Sequence, residues 1–502
     1  MNTSAYSIVL PDHPAHAIYE KPRQLLIDGQ WVAAASGKTL PSIDPSTGLT
    51  IAHIAEGGVE DVERAVDAAR RAFDEGPWRK FSSYDRQSLL LRFADLVEQH
   101  GDELCRLDSL DMGAPIGGCA PRIRRALSII RYHAGRARTL QGNTIDNSLP
   151  GELFSYTLKE PIGVVAAIIA WNAPLGAVLT KLCPALATGC TVVLKPAEEA
   201  SLTALRLCEL LLDAGLPKGV VNMVTGYGHV VGAALAAHLA VDKVAFTGSV
   251  PVGQRIVEAA AGNLKRLSLE LGGKSPDIVF SDADMAQAVP GAAMAVFANT
   301  GQICSAGTRL FVQREIYDEF TEKVAAYGHS LKVGRSLDPA TQIGPLVSAK
   351  QFARVRDYFR VGQEEGATLV SGGASVAEGK LSGGYFVPPT VFGDVTDSMR
   401  IAQEEIFGPV ISAMPFSTVE EVIRRSNASS FGLGSGVWTR DVGKAYRLAR
   451  EIRAGSVWIN CYQAMDPAVP FGGYRMSGYG REGGVDHAEE FMQTKAVWIK
   501  GG

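Results

Sequence analysis

Three residues have types and surroundings that could carry covalent chemistry. Cys304 lies in Phe297-Ala298-Asn299-Thr300-Gly301-Gln302-Ile303-Cys304-Ser305-Ala306-Gly307-Thr308-Arg309, a polar, glycine-containing stretch rather than an apolar run. Such a stretch can present a thiol as a nucleophile. A free thiol, with a pKa of about 8.5, is only slightly ionised at neutral pH and needs a partner or a favourable field. The same pattern also suits an inert loop cysteine. Glu270, in Leu267-Ser268-Leu269-Glu270-Leu271-Gly272-Gly273-Lys274-Ser275-Pro276, sits among leucines before two glycines. Apolar surroundings raise a carboxyl pKa and suit a general base; the alternative is a solvent-facing Glu on an alternating strand. Asn172, in Trp171-Asn172-Ala173-Pro174, follows an apolar run. Its amide could donate to a developing oxyanion, or it could simply be a turn residue.

A cofactor pattern is weaker. No G-x-G-x-x-G follows the first apolar run, and Gly226-Tyr227-Gly228-His229-Val230-Val231-Gly232 has one residue too many. Phe246-Thr247-Gly248-Ser249-Val250-Pro251-Val252-Gly253 fits better: a strand, a small-residue turn and a helix start. Backbone N–H groups and the helix dipole favour phosphate there, although a plain strand-to-helix turn reads the same way.

The elements that must position these residues are legible from periodicity. Leu25 to Val32 reads as a hairpin around Asp28-Gly29. Val62, Ala65, Val66, Ala69 and Phe73 mark one face of a helix over about 59–75, closed by Gly76-Pro77. A second amphipathic helix spans about 85–100. From residue 160 the texture becomes α/β: Gly163–Ala170 is almost wholly apolar, as a strand buried on both faces should be. Strands at 191–196, 220–224 and 243–246 alternate with helices, one of them over about 201–214. This predicts a doubly wound sheet with ligands beyond its carboxyl ends. A second α/β region runs from about 276 to 480, and 491–500 alternates weakly as an edge strand.

The 502 residues suit two or three domains. Hydrophobic residues make up 46%, enough for a large core, and a net charge of −4 gives no reason to expect nucleic acid or a membrane surface. Seven widely spaced cysteines without a C-x-x-C argue against a disulfide framework or a cysteine-rich zinc site and for a reducing compartment. The first twenty residues, with two prolines and two histidines, read as a loose extension without a secretory signal, so a cytoplasmic protein is expected.

Together the motifs resemble the aldehyde dehydrogenase superfamily over about residues 25–500. The resemblance rests on the Trp171-Asn172 segment, Lys195-Pro196-Ala197-Glu198, Phe246-Thr247-Gly248-Ser249, Glu270-Leu271-Gly272-Gly273-Lys274 and Gly301-Gln302-Ile303-Cys304. Glu404-Glu405-Ile406-Phe407-Gly408-Pro409, Pro470-Phe471-Gly472-Gly473 and Ser477-Gly478-Tyr479-Gly480-Arg481-Glu482 follow in order. It implies an α/β fold in three parts: a Rossmann-like NAD-binding domain (1–142 and 162–272), a catalytic domain (273–485) and a small β oligomerisation unit (143–161 and 486–502). A homodimer or homotetramer is implied.

The implied chemistry is NAD-dependent oxidation of an aldehyde to its acid. Cys304 attacks, Asn172 and the Cys304 N–H hold the oxyanion, and a thioester forms. Glu270 activates the water that hydrolyses it. Lys195 and Glu198 match adenosine-ribose ligands, Glu198 disfavouring NADP; Ser249 matches a pyrophosphate contact, Glu405 a nicotinamide-ribose ligand and Phe407 its neighbour. Ile168, Trp171, Gly228, Phe246, Gly248 and Gly272 complete the implied cofactor site, and Lys181 lies nearby without an assigned role. No metal is implied. Ala173, Gly176, Ala177, Thr180 and Ala298 are small where relatives carry bulky residues, which predicts a wide tunnel for a long or bulky apolar aldehyde, unless Met465 or Phe471 refills it. No arginine cluster shows on that helix face, which weighs against aldehydes with a second carboxylate. The rivals are a CoA-acylating relative, disfavoured by Glu270, a cofactor-free thiol esterase, and a non-enzymatic scaffold.

Overall fold

A computed structural model describes residues 18–19, 21–376 and 378–501. Most of the predicted extension lies outside the described residues; of the first twenty, Ile18 and Tyr19 are described, and both are buried. The chain opens with the hairpin β1 (Leu25–Ile27) and β2 (Gln30–Val32). Asp28 and Gly29 both take positive φ (52° and 73°), the geometry a two-residue hairpin turn requires. A second pair, β3 (Thr39–Asp44) and β4 (Leu49–Ala55), leads into α1 (Val59–Asp74), α2 (Ser83–Gln99), α3 (Gly101–Met112) and α4 (Cys119–Arg136). Ser82 caps α2 reciprocally with Asp85, which starts that helix two residues earlier than periodicity suggests.

Next come β5 (Thr144–Ile145), β6 (Leu153–Pro161), β7 (Val164–Ile168), α5 (Pro174–Thr188), β8 (Thr191–Lys195), α6 (Leu202–Asp213) and β9 (Val221–Met223). They are followed by α7 (Ala233–Ala237), β10 (Lys243–Thr247), α8 (Val250–Ala259) and β11 (Arg266–Glu270). Strands β9, β8, β7, β10 and β11 run parallel in that order; the β1–β2 hairpin and a two-residue strand from the C-terminal region close the edges antiparallel. Alternation along β7 explains the near-continuous apolar run. Val165 and Ala167 pack toward α2, α5 and α6, while Val164, Ala166 and Ile168 pack toward α1, α7 and α8. Each buried aliphatic side chain contributes about 1.5–3 kcal/mol, so a polar residue on either face would be costly.

The second half builds a seven-stranded sheet around β12 (Pro276–Val279) and β13 (Arg309–Gln313), joined by α9 (Met285–Phe297). Six of its strands are parallel, and an antiparallel strand lies at one edge. The final strand, β14 (Met492–Lys500), pairs along its full length with β6 and forms a three-stranded sheet with it and β5. It lies at the edge of that sheet, as predicted. No helix among the described residues is long and apolar enough to cross a membrane.

The cysteine reading needs one correction. Cys105 and Cys119 are joined by a disulfide, with Cα atoms 5.5 Å apart across a sequence separation of 14. Gly113, in the left-handed region at φ 86°, turns the chain back after α3, so the start of α4 meets the middle of α3. Spacing along the sequence does not reveal that approach, and the argument for a reducing compartment loses this support. Cys183, Cys190 and Cys208 are free and buried, as small core residues should be.

Candidate active site

The two large sheets bring Asn172, Glu270 and Cys304 into the wall of one cavity of about 1480 Å³. Asn172 follows β7, Glu270 ends β11, and Cys304 lies between α9 and β13. The first two lie at carboxyl ends of parallel strands, where backbone diverges and leaves room for a ligand.

The Cys304 loop is held in a demanding conformation. Asn299, Thr300 and Gly301 take positive φ in succession (50°, 56° and 72°). The loop is tied down at both ends. Thr300 Oγ1 donates to the Gly344 carbonyl at 3.1 Å, and Gln302 Oε1 accepts from the Val347 N–H at 3.0 Å. A Cβ at Gly301 would lie 2.1 Å from the Gly408 carbonyl carbon, so only glycine lets the two backbones approach. Asn172 Nδ2 donates to the Gln302 carbonyl at 3.0 Å, and Asn299 Nδ2 donates to the Asn172 carbonyl at 2.9 Å. These bonds lock the Asn172 segment to the nucleophile loop. The Cys304 N–H makes no hydrogen bond among the described residues.

Enclosure by protein pushes the half-buried Cys304 thiol up to about 12, and Glu270, Glu405 and Glu482 add to the effect, against a backbone hydrogen bond from Ser305. Glu270 is only 5% exposed, and both carboxylate oxygens lack a hydrogen-bond partner among the described residues. Burial holds its pKa well above the usual carboxylate value; nearby Glu482 raises it further, while Lys181 and Arg481 oppose. The bland alternative for Glu270, a solvent-facing side chain, is excluded by its burial. Lys181, 2% exposed, makes an ion pair with Glu482. In the sequence Glu482 stands only at the end of the Ser477–Glu482 motif. Its contact with Lys181, 301 residues away, has no local signal.

Several residues could hold a dinucleotide. Lys195 Nζ donates to Glu198 Oε2 at 3.0 Å, and the Gly228 N–H donates to Glu198 Oε1 at 3.4 Å, so these three cluster beyond β8. Burial would raise Glu198, but the Lys195 ammonium holds it below the usual value, leaving an acceptor ready for hydroxyls. Gly248 and Ser249 line the main cavity at the start of α8, the position a phosphate favours. Glu405 accepts from the Gly273 N–H at 3.0 Å, and a Cβ at Gly272 would lie 2.2 Å from its carboxylate. Burial pushes Glu405 up to about 7. Phe407 packs edge-on against Trp171, ring centroids 5.3 Å apart. Ile168 and Phe246 are buried at the ends of their strands and, like Lys195, Glu198 and Gly228, lie outside the main cavity wall. The helical segment between the strands at 220–224 and 243–246 begins as a single π-helical turn over Gly228–Gly232 before α7.

The tunnel prediction is corrected in two respects. Ala173, Gly176, Ala177 and Thr180 line the cavity, whereas Ala298 does not; Met294, one turn earlier on α9, does. Met465 and Phe471 also line it and refill part of the space. The α5 face carries no arginine, but α4 contributes Arg122 and Arg125 to the same cavity. Periodicity on α5 alone could not show what a separate helix brings across the gap, and the case against a second carboxylate on the substrate loses its basis.

A cysteine, a buried carboxylate and an amide donor thus share one cavity, next to a cluster of groups able to hold a dinucleotide. The profile of the Aldehyde dehydrogenase family matches residues 31–497. The chain is 50% identical over 486 residues to the mitochondrial benzaldehyde dehydrogenase of Antirrhinum majus, covering 96% of this chain and 89% of that one. It is 49% identical over 480 residues to the mitochondrial aldehyde dehydrogenase of Rattus norvegicus, covering 95% and 91%. Among solved structures, the NAD+ complex of an aldehyde dehydrogenase from Bacillus cereus superposes with a TM-score of 0.93 at 43% identity, covering 96% and 97%. The betaine aldehyde dehydrogenase of Staphylococcus aureus, in complex with NAD+, superposes with a TM-score of 0.94 at 39% identity, covering 95% of each chain. The chain belongs to the aldehyde dehydrogenase family.

Proposed function

We propose that this enzyme oxidises a long or bulky aldehyde to its carboxylic acid with NAD, through a thioester on Cys304. The observation that carries the reading is the joint placement of Cys304, Glu270 and Asn172 on one cavity. The overall change is aldehyde plus NAD plus water to carboxylate plus NADH plus two protons. NAD, when bound, would supply the hydride acceptor.

The chain's own groups do the rest. Cys304, once deprotonated, bonds to the aldehyde carbon. The second Nδ2 hydrogen of Asn172 and the Cys304 N–H stabilise the oxyanion. Loss of hydride from the adduct carbon leaves the thioester. Glu270, buried and without a hydrogen-bond partner among the described residues, takes a proton from the attacking water; acid and free Cys304 result. Lys195, Glu198 and Gly228 would hold the adenosine ribose, Gly248 and Ser249 the pyrophosphate, and Glu405 with Gly272, Phe407 and Trp171 the nicotinamide end. Ile168 and Phe246 would pack beneath the cofactor. The chain would divide into an NAD-binding domain (1–142 and 162–272), a catalytic domain (273–485) and an oligomerisation unit (143–161 and 486–502), a reading supported by the three separate larger sheets.

The small α5 face at Ala173, Gly176 and Ala177 leaves room for an apolar body, and a benzaldehyde-oxidising relative at 50% identity supports an aromatic or similarly bulky one. Exposed Phe154, Leu158, Trp498 and Ile499 on the β6–β14 sheet support pairing between subunits of a homodimer or homotetramer. The cytoplasm is the compartment we infer.

The test is NADH formation from NAD over a panel of aldehydes, beside Cys304→Ala. Activity with a bulky aldehyde, abolished in the variant, is expected. Activity only on addition of CoA would move the protein to an acylating role. A clear preference for acetaldehyde would remove the wide tunnel.

A further inference from the structure

One face of α4 runs along the substrate side of the site. Arg122, Arg125 and Ala126 line the main cavity, and Arg125, Ile129 and His133 line a smaller one of about 400 Å³ behind it. The spacing of three and four residues puts all of them on a single stripe. Arg125, Thr180, Met465, Phe471 and Glu482 belong to both walls, so Arg125 stands where the two cavities meet.

Arginines in such a place ordinarily have partners. Among the described residues, Arg122 Nε and Nη2 are buried with no hydrogen-bond partner, and neither arginine is in an ion pair. The one hydrogen bond of Arg125 is to the Met465 thioether at 3.3 Å, a weak acceptor. Arg125 is exposed and lines both cavities; surrounding protein pulls its pKa below the usual arginine value, and Glu482 and Cys304 oppose. Asp108 lies close enough to Arg122, and Glu482 to Arg125, to favour their charged forms, but neither acid forms a direct ion pair with them among the described residues. Glu482 is held by Lys181, Asp466 accepts from the Ala468 N–H at 2.8 Å, and Asp108 accepts from Thr203 Oγ1 at 2.7 Å. Guanidinium N–H groups on a cavity wall without a direct carboxylate partner are donors that a ligand's carboxylate can complete.

We propose that the substrate carries a carboxylate at the end remote from its aldehyde, held by Arg125 and Arg122 while the carbonyl sits at Cys304. The proposal rests on the aldehyde dehydrogenase reading above. The planar guanidinium fork matches a carboxylate in two parallel hydrogen bonds. The small α5 face then houses the apolar body, and the junction of the cavities receives the acidic end.

The experiment compares kcat/KM for aldehyde acids and their methyl esters: para-formylbenzoate and a series of linear ω-oxo acids of increasing length. The wild-type enzyme should favour the acid over its ester by about 10-fold or more at the length that spans the cavity, the worth of one charge-assisted hydrogen bond. Arg125→Met should bring that ratio to about unity through KM, and Arg125→Lys should restore part of it. The wild-type ratio should also fall with added salt, which needs no variant to fold. A wild-type preference for the ester at every length overturns the proposal, as does an acid preference that neither Arg125→Met nor Arg122→Met reduces. NADH from esters but not acids would refute the anion site and leave the aldehyde reading intact, whereas no NADH from either would refute that reading itself.

Discussion

Replacing Glu270 by Gln separates the two halves of the reaction. The amide keeps the side chain's size in a site where the carboxylate makes no hydrogen bond among the described residues, so no packing or pairing is lost. What disappears is the ability to take a proton from water. A positioned general base contributes about 10²–10⁴-fold, or about 3–5 kcal/mol. That loss falls on thioester hydrolysis and not on attack by Cys304. Rapid-mixing NADH absorbance should therefore show a burst of one NADH per active site, then turnover slowed about 100-fold or more. The same variant should change the pH profile. Burial and Glu482 raise Glu270 well above the ordinary carboxylate range, so the wild-type hydrolysis rate climbs with pH as this group deprotonates, and the variant lacks that climb. Stability carries the matching sign. The native state binds this proton more tightly than the unfolded chain, so Glu270 costs stability as pH rises from the ordinary carboxylate range through its native value. Glu270→Gln should melt at the wild-type temperature or above it at neutral pH. Turnover within about three-fold of wild type without a burst would refute the role of Glu270, since a base worth less than that is not the base.

Three further outcomes are expected. Glu198→Ser should weaken NAD, with kcat/KM down about 10-fold for the lost charge-assisted hydrogen bonds, and narrow the gap to NADP; an unchanged NAD-to-NADP ratio would place the ribose elsewhere. Gly301→Ala combines a left-handed backbone, costing about 1–2 kcal/mol, with a Cβ 2.1 Å from the Gly408 carbonyl carbon; urea unfolding should show a larger loss than that, and a neutral result would contradict the close approach. Cys119→Ser opens the link across 14 residues of separation and should lower stability by about 3 kcal/mol on the chain-entropy account; a melting temperature indifferent to the substitution and to thiol reductants would show that the bond is not formed in solution.

Much of the site was readable from local pattern because it rests on local demands. A strand buried on both faces needs a continuous apolar run, so Val164–Ile168 declared itself and placed Asn172 beyond its end. The Asp28-Gly29 turn was readable because few residue pairs accept two successive positive φ values. The ordered motifs around Cys304, Glu270 and Phe246 carried the family because each meets a tight backbone constraint, such as Gly301 against Gly408.

Tertiary structure alone decided which separate segments meet. No spacing foretells that Lys181 pairs with Glu482, that Gln302 bridges Asn172 to Val347, or that Cys105 reaches Cys119. The tunnel makes the point most directly. Its α5 wall could be read as small and uncharged from one helical stripe, yet Arg122 and Arg125 reach the same cavity from α4, roughly fifty residues earlier in the chain. Periodicity reports the face that one element presents. The chemistry of a cavity depends on every face that closes it, and those faces are brought together only by the packing of the whole chain.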